Sequence, residues 1–276
     1  MTDRRLHFAT PQIAPDFLKG QVQADRYITP TLMKVREPVV DVLKAPGGAR
    51  DRQAVFGQTV SVLVDDGEFS FVDAGQTSTY VGHIRSNALG PVGKPSTHWV
   101  SLLSSHVYSA ASFKSPETLR VPFGSRFSVV GETGKFFETD LGFVPKQHLS
   151  ESDFAFSDPA EIAQQFLRCP YLWGGNSPLG IDCSGLVQAA LTACGIECPG
   201  DSDLQEKFLT PSAQTPSGYA RNLVMFWKSH VALTLDETRL IHANVHKMAV
   251  SIEGIEDAIA RIEGAGDGPV TSKIQI

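Results

Sequence analysis

The residues with the clearest chemical potential lie between Tyr171 and Gly185, where the sequence is YLWGGNSPLGIDCSG. Its glycines and proline predict a loop up to Asp182. Apolar residues then recur at helical spacing, with Asp182 as the N-cap: Leu186, Val187, Ala190, Leu191 and Cys194. Cys183 is therefore predicted in the first turn of a helix, where unpaired amides and the helix dipole favour a thiolate nucleophile. The alternative for Cys183 is a buried structural cysteine.

A cysteine nucleophile requires a histidine within hydrogen-bonding reach, and that histidine requires an orienting partner. His230 begins a predicted strand whose alternating apolar residues face the core, so His230 faces the other way. If residues 236–238 form a three-residue hairpin loop, Ala232 pairs with His242. The two histidines then become diagonal neighbours on one face, within reach of each other's rings. A four-residue loop would instead place them on opposite faces.

The segment around Cys183 resembles the NlpC-type family of cell-wall cysteine peptidases. The likeness covers Tyr171, Trp173-Gly174-Gly175, Pro178, Gly180, Asp182-Cys183-Ser184-Gly185-Leu186, Gly195-Ile196 and Pro199. Two further blocks of the family match Ser229-His230-Val231-Ala232-Leu233 and Ile241-His242-Ala243. The resemblance implies that Cys183 is the nucleophile, that His230 is the general base and acid, and that His242 orients His230. It also implies substrate-binding roles for Tyr171, Asp182 and Ser184.

Composition excludes several function classes. The chain has 276 residues, a formal net charge of -6 and no basic run, so nucleic-acid binding is not expected. No stretch approaches the roughly 20 apolar residues of a membrane helix. Four cysteines, close together in sequence, favour a reducing compartment over a disulfide framework, and we expect a cytoplasmic protein. His242 and His246 lie in a predicted strand, where their spacing separates them, so neither a metal nor a cofactor is predicted.

The order of segments predicts an α+β protein with four parts. Residues 1–36 form an N-terminal arm, and residues 37–92 and 93–150 are similar to two small SH3-like β-barrels. Residues of the first copy recur in the second copy 67 positions later, as in Phe56-Gly57 and Phe123-Gly124. Towards the end of the copies the separation is 60 positions, as in Leu89 and Leu149. Residues 151–276 form a papain-like catalytic domain. We expect its last third to be β, with strands over 223–227, 230–235, 239–244 and 249–252.

These expectations define a function. The resemblance implies a cysteine endopeptidase that hydrolyses the γ-D-glutamyl–diamino acid bond (meso-diaminopimelate or Lys) of free murein stem peptides, in peptidoglycan recycling or turnover. The alternatives are a Cys-His amidase or acyltransferase on the same scaffold, and a non-catalytic cell-wall-binding protein. The free amine of L-Ala-γ-D-Glu-diamino acid needs acceptors when it leaves water. Asp182 is one candidate, Tyr80 is a second by resemblance, and Asp51 is a third by its charge and loop position.

Overall fold

The computed structural model describes residues 3–210 and 218–276. The chain divides into two compact units, Met1–Phe154 and Ala155–Ile276. It is an α+β protein dominated by β-strands, with four α-helices among the described residues, all in the second unit. No helix in the described part combines the length and the apolar character that a membrane crossing requires. The predicted bounds at residues 36, 92 and 150 stay predictions.

The first unit consists of β-strands and four short 3-10 turns. Its strands are β1 (Ile13–Pro15), β2 (Arg26–Ile28), β3 (Thr31–Val35), β4 (Val39–Leu43), β5 (Arg50–Val55), β6 (Thr59–Asp65), β7 (Phe69–Asp73), β8 (Val81–Arg85), β9 (Leu89–Pro91), β10 (His98–Val100), β11 (Ser104–Tyr108), β12 (Glu117–Pro122), β13 (Arg126–Phe127), β14 (Val129–Thr133), β15 (Phe136–Thr139), β16 (Gly142–Pro145) and β17 (Leu149–Glu151). The 3-10 turns are Arg4–Leu6, Asp16–Leu18, Ser86–Ala88 and Lys146–His148.

The expectation of two closed SH3-like barrels is not confirmed, because the described sheets are open. One seven-stranded sheet has the order β5-β4-β8-β7-β6-β3-β9, and its two edge strands do not pair with each other. The following strands divide into a three-stranded sheet, β13-β10-β17, and a five-stranded sheet, β12-β11-β16-β15-β14. Strand β3 belongs to the seven-stranded sheet although it lies within the predicted N-terminal arm, whose first two residues are outside the described part.

The repeated sequences share local backbone structure. Gly57 and Gly124, which are 67 residues apart, both have a positive φ, 75° and 81°. At Gly57 an added Cβ would lie 2.2 Å from the carbonyl oxygen of Arg126, so only glycine fits there. Each copy also ends in a 3-10 turn directly before a buried leucine, Leu89 or Leu149.

The second unit places helices around an antiparallel sheet. Its elements are α1 (Pro159–Gln165), β18 (Asn176–Ser177), β19 (Gly180–Ile181), α2 (Cys183–Ala193), α3 (Ser202–Leu209), β20 (Leu223–Trp227), β21 (His230–Thr234), β22 (Arg239–Asn244), β23 (Ala249–Gly254), α4 (Ile255–Gly264) and β24 (Ser272–Gln275). The sheet order is β23-β22-β21-β20-β24. The predicted nucleophile helix and the four predicted strands are confirmed, because α2 begins at Cys183 and β20 to β23 cover the expected segments.

The hairpin between β21 and β22 has the register on which the histidine prediction depends. Leu233 pairs with Ile241 and Thr234 pairs with Leu240, and the N–H of Leu235 donates to the carbonyl of Arg239 at 2.8 Å. The loop is therefore the predicted three-residue loop. Asp236 stabilises this loop, which lacks the glycine that such turns prefer, because its carboxylate accepts the N–H groups of Thr238 and Arg239.

The prediction that the chain ends in β structure alone is wrong, because α4 follows β23 directly. Its apolar residues Ile255, Ile259 and Ile262 recur at helical spacing, and Glu256 and Asp257 lie in its first turn, where acidic side chains suit the helix dipole. Ile255, Ala258 and Ile262 pack on the sheet face that carries Met225, Ala232 and Leu240. Helix α4 thereby buries the face that the histidines share.

Candidate active site

Cys183 is the first residue of α2, and it is 8% exposed. Asp182 is the N-cap, and its Oδ1 accepts the N–H of Gly185 at 2.6 Å. Helix α2 packs against β21 and β22, so the thiol lies beside the strand that begins at His230. The helix start, the buried thiol and the histidine strand are thus brought together as the sequence predicts, while the role of Cys183 stays a prediction.

The predicted effect of the helix dipole on Cys183 is opposed by burial. Burial, with a smaller contribution from the neighbouring Asp182, raises the pKa of the Cys183 thiol to about 12. The backbone amides of Val231, Ser184 and Cys183 itself act against this rise but do not cancel it. Burial thus favours the protonated thiol, and nucleophilic attack from that form requires a base that removes the proton.

The two predicted histidines are in direct contact. Nε2 of His230 lies 2.8 Å from Nδ1 of His242, and the ring centroids are 5.0 Å apart. His230 is partly buried at the start of β21, whereas His242 is 0% exposed in β22. Burial lowers the pKa of His230 to about 3, with His242 adding to this effect, and burial also lowers the pKa of His242. Burial therefore favours the neutral form of both rings.

Glu253 and Arg261 extend this contact, and sequence reasoning missed both. Oε2 of Glu253 lies 3.0 Å from Nε2 of His242, and Nη2 of Arg261 donates to the same Oε2 at 2.5 Å. The hydrogen bond from His242 and the one from Arg261 lower the pKa of Glu253 to about 2, against the opposing effect of burial. In the β22–β23 hairpin, His242 pairs with Ser251 and Leu240 pairs with Glu253. Glu253 lies two residues beyond Ser251 on the same strand, so it is on the same face of the sheet as His242.

The Asp182 carboxylate stabilises the loop before Cys183 by hydrogen bonds. Oδ2 accepts the N–H of Gly174 at 2.9 Å, and Oδ1 also accepts the hydroxyl of Ser184 at 2.9 Å. The predicted substrate-binding residues Asp182 and Ser184 are therefore bonded to each other and both buried. Tyr171 is partly exposed. The pKa of its hydroxyl is raised well above the ordinary value, chiefly by burial and in addition by the nearby Cys183 and Asp182.

A third residue that sequence reasoning missed supports the first turn of α2. Gln205 in α3 is 0% exposed, and its Nε2 donates to the carbonyl of Ser184 at 2.8 Å and to that of Pro199 at 3.1 Å. It thereby ties the first turn of α2 to the segment after the helix. Nothing in the spacing of the sequence indicates this contact, because α3 reaches Ser184 only through tertiary packing.

Tyr80 and Asp51 belong to the first unit. Tyr80 is 4% exposed, and the guanidinium carbon of Arg52 lies 5.2 Å from the centre of its ring. Asp51 forms an ion pair with Nη1 of Arg4 at 2.6 Å. A substrate amine at Asp51 would share that carboxylate with Arg4. The substrate-binding roles of Tyr80 and Asp51 stay predictions.

Within the described residues no group of three or more His, Cys, Asp or Glu side chains is arranged to hold a metal ion. His242 donates to Glu253, and His246 lies in the exposed turn after β22. The four cysteines are free thiols. The side chains brought together here are a thiol, two imidazoles and an ion pair.

Comparison with known proteins identifies this arrangement. The model of the NlpC/P60 family matches residues 168–261, which contain Cys183, both histidines, Glu253 and Arg261. The C-terminal region of the chain is an NlpC/P60 domain. This family comprises cell-wall peptidases of the cysteine class. The NlpC/P60 domain accordingly occupies most of the second compact unit.

Individual relatives are similar at low identity. "Dipeptidyl-peptidase 6" of Lysinibacillus sphaericus is 29% identical over 143 residues, 52% of each chain. "Gamma-D-glutamyl-L-lysine dipeptidyl-peptidase" of Bacillus subtilis is 25% identical over 174 residues, 56% of this chain and 57% of that protein. The chain thus spans about half the length of these curated relatives. The crystal structure of an NlpC/P60 family protein from Bacillus cereus superposes with a TM-score of 0.74 at 18% identity, covering 89% of this chain and 99% of that one, which shows a shared fold.

Proposed function

We propose that this protein is a cysteine endopeptidase that hydrolyses the γ-D-glutamyl–diamino acid bond of free murein stem peptides, in cytoplasmic peptidoglycan recycling or turnover. The observation that carries the proposal is the contact between His230 of β21 and His242 of β22, two strands against which the helix of Cys183 packs. Relatives that are named as dipeptidyl-peptidases, one of them for the γ-D-glutamyl-L-lysine bond, support the choice of substrate.

The resting protonation states define the first chemical step. Burial favours the protonated thiol of Cys183 and the neutral ring of His230, so the sulfur attacks the γ-glutamyl carbonyl carbon as the unprotonated nitrogen of His230 takes the thiol proton. The carbonyl oxygen becomes an oxyanion, for which the N–H of Cys183 at the start of α2 is a donor. His230 then returns its proton to the amine of the diamino acid as the C–N bond breaks. Water, activated by the neutral His230, hydrolyses the thioester and regenerates the thiol.

Hydrolysis of L-Ala-γ-D-Glu-meso-diaminopimelate and of its L-Lys analogue tests the reaction. We expect mass spectrometry to detect L-Ala-γ-D-Glu and the free diamino acid. Cys183→Ala should lose at least about 1,000-fold in kcat, because only the nucleophile is removed. Cys194→Ala is the matched control, because Cys194 is the C-cap at the opposite end of the same helix and should leave kcat unchanged. Comparable turnover by Cys183→Ala and the wild type would refute the nucleophile.

Recognition of the free amine is a separate part of the proposal. Asp182 adjoins the nucleophile and carries the negative charge that an ammonium group requires when it leaves water. The N-acetylated tripeptide should therefore be cleaved at least about 100-fold less efficiently in kcat/KM than the free tripeptide. Equal cleavage of both peptides would contradict amine recognition and leave the hydrolytic mechanism intact.

A further inference from the structure

Arg261, Glu253, His242 and His230 form a series of hydrogen bonds, and Glu253 determines which atoms in this series donate and which accept. Its Oε2 receives two hydrogen bonds, from Nη2 of Arg261 at 2.5 Å and from Nε2 of His242 at 3.0 Å. An ionised carboxylate can only accept, and a guanidinium can only donate. Nε2 of His242 must therefore carry a proton.

This assignment propagates to His230. A neutral imidazole has one N–H and one unprotonated nitrogen, so a proton on Nε2 of His242 leaves its Nδ1 as an acceptor. Nδ1 of His242 lies 2.8 Å from Nε2 of His230, so this second nitrogen must be the donor. Nδ1 of His230 is then the nitrogen with the available lone pair.

We infer that Glu253 and Arg261 are positioning residues, which fix the tautomers of His242 and His230 so that Nδ1 of His230 accepts the proton of Cys183. The inference rests on the proposed function for the identity of the base, but the tautomers themselves are a property of the resting protein. Arg261 belongs to α4 and Glu253 to β23, so the device depends on α4 packing against the sheet.

Glu253 and Arg261 act in opposite directions on the charge that forms on His230 during catalysis. Proton transfer creates an imidazolium in a site where burial opposes charge, and Glu253 favours that charge while Arg261 and His242 oppose it. His246 is a further titratable group that acts on His242 and lowers its pKa. Loss of Glu253 should weaken the base, and loss of the Arg261 charge should strengthen it, provided that each ring stays in place.

Isosteric substitution of Glu253 tests the inference by kinetics. Glu253→Gln should lower kcat by about 10- to 100-fold with KM within about twofold, because the variant removes the negative charge that favours protonated His230 while the substrate contacts remain. Glu263→Gln is the matched control, since it makes the same change at an exposed position of α4. An unaltered kcat in Glu253→Gln would overturn the inference.

The pH dependence separates positioning from packing. In Glu253→Gln the acidic limb of the kcat/KM profile should move to lower pH, and in Arg261→Gln it should move to higher pH. Arg261→Lys keeps the positive charge and should restore the wild-type limb. If the ion pair were only structural, Glu253→Gln and Arg261→Gln would both lower the thermal midpoint, and their acidic limbs would not move in opposite directions. That result would overturn the inference.

Long-range proton–nitrogen correlation spectra of protein labelled with ¹⁵N-histidine report the tautomers without substrate. We expect both rings in the Nε2–H form in the wild type and in Glu253→Gln, whose amide oxygen still accepts the Nε2–H of His242. Glu253→Leu removes the acceptor and should lose this form at His242. A wild-type Nδ1–H form at His230 would overturn the inference even if hydrolysis occurs. Conversely, the expected tautomers in a protein that fails to cleave the tripeptide would contradict the proposed function and leave the inference standing.

Discussion

Asp182→Asn should destabilise the loop before Cys183 and at the same time make the thiol more acidic. The wild-type carboxylate accepts the N–H groups of Gly174 and Gly185 and the hydroxyl of Ser184. The asparagine amide can keep the two donors at Oδ1, but its NH₂ group would face the N–H of Gly174. One buried donor then loses its acceptor, and two charge-assisted hydrogen bonds become neutral ones.

The cost follows from these three contacts. An unsatisfied buried N–H costs about 1–3 kcal/mol, and replacing a charged acceptor by a neutral one costs about 1 kcal/mol per bond. We therefore expect Asp182→Asn to lower the free energy of unfolding by about 3–5 kcal/mol. Ser184→Ala removes only the hydroxyl contact and should cost about 1 kcal/mol.

Two assays check the two effects. Urea titration compares the free energy of unfolding of the wild type, Asp182→Asn and Ser184→Ala. The rate of alkylation by iodoacetamide as a function of pH gives the pKa of Cys183, with Cys183→Ala supplying the background from the other thiols. Because the Asp182 charge raises the pKa of Cys183, that pKa should fall in Asp182→Asn.

Two results would refute this reasoning. Equal unfolding free energies in Asp182→Asn and the wild type would show that the carboxylate does not hold the loop. An unchanged or higher pKa of Cys183 in a folded Asp182→Asn variant would show that the Asp182 charge does not act on the sulfur.

Three further predictions concern the rest of the site. His230→Ala should lower kcat more than His242→Ala, because the first removes the proton acceptor and the second only its orientation; steady-state kinetics decide, and a silent His230→Ala would reverse the roles. Since the folded pKa of Glu253 lies at about 2, below its ordinary value near ~4.3, its stabilising effect is complete above about pH 5 and is lost as the pH falls towards 2, so acid titration of Glu253→Gln should have a shallower slope than the wild type. Gly185→Ala should cost at least about 2 kcal/mol in a urea titration, because the new Cβ would lie 2.5 Å from a backbone carbonyl oxygen; Gly264→Ala, with no atom within 4 Å of the new Cβ, should be neutral or stabilising, and equal costs would contradict the argument.

The local part of the site could be predicted from the sequence because it depends on neighbours in the chain. Asp182 precedes an apolar pattern of helical period, and this alone determines that α2 begins at Cys183. The contact between His230 and His242 depends on one hairpin, and the loop of three residues fixes its register. The short-range signals for β20 to β23 are equally local, which is why these strands were predicted in place.

Closure of the N-terminal sheets is a different matter, because it depends on whether distant edge strands meet. Strands β5 and β9 each have a strand-like sequence, but nothing in either sequence determines that they remain unpaired edges of one sheet. The repeat at an offset of 67 residues predicts two similar modules, but it does not predict whether the outermost strands of each module pair with each other.

The sequence by itself determined that Cys183 begins a helix and that His230 and His242 are neighbours, and the tertiary structure decided the surroundings of these side chains. A helix start favours a thiolate, yet burial and the adjacent Asp182 raise the pKa of Cys183, because desolvation depends on everything that packs over the sulfur. Glu253 and Arg261 are eight residues apart and lie in different elements, so only the packing of α4 on the sheet brings them to one oxygen beside His242. Periodicity in the sequence indicates α4, but the face on which it packs is a property of the folded chain.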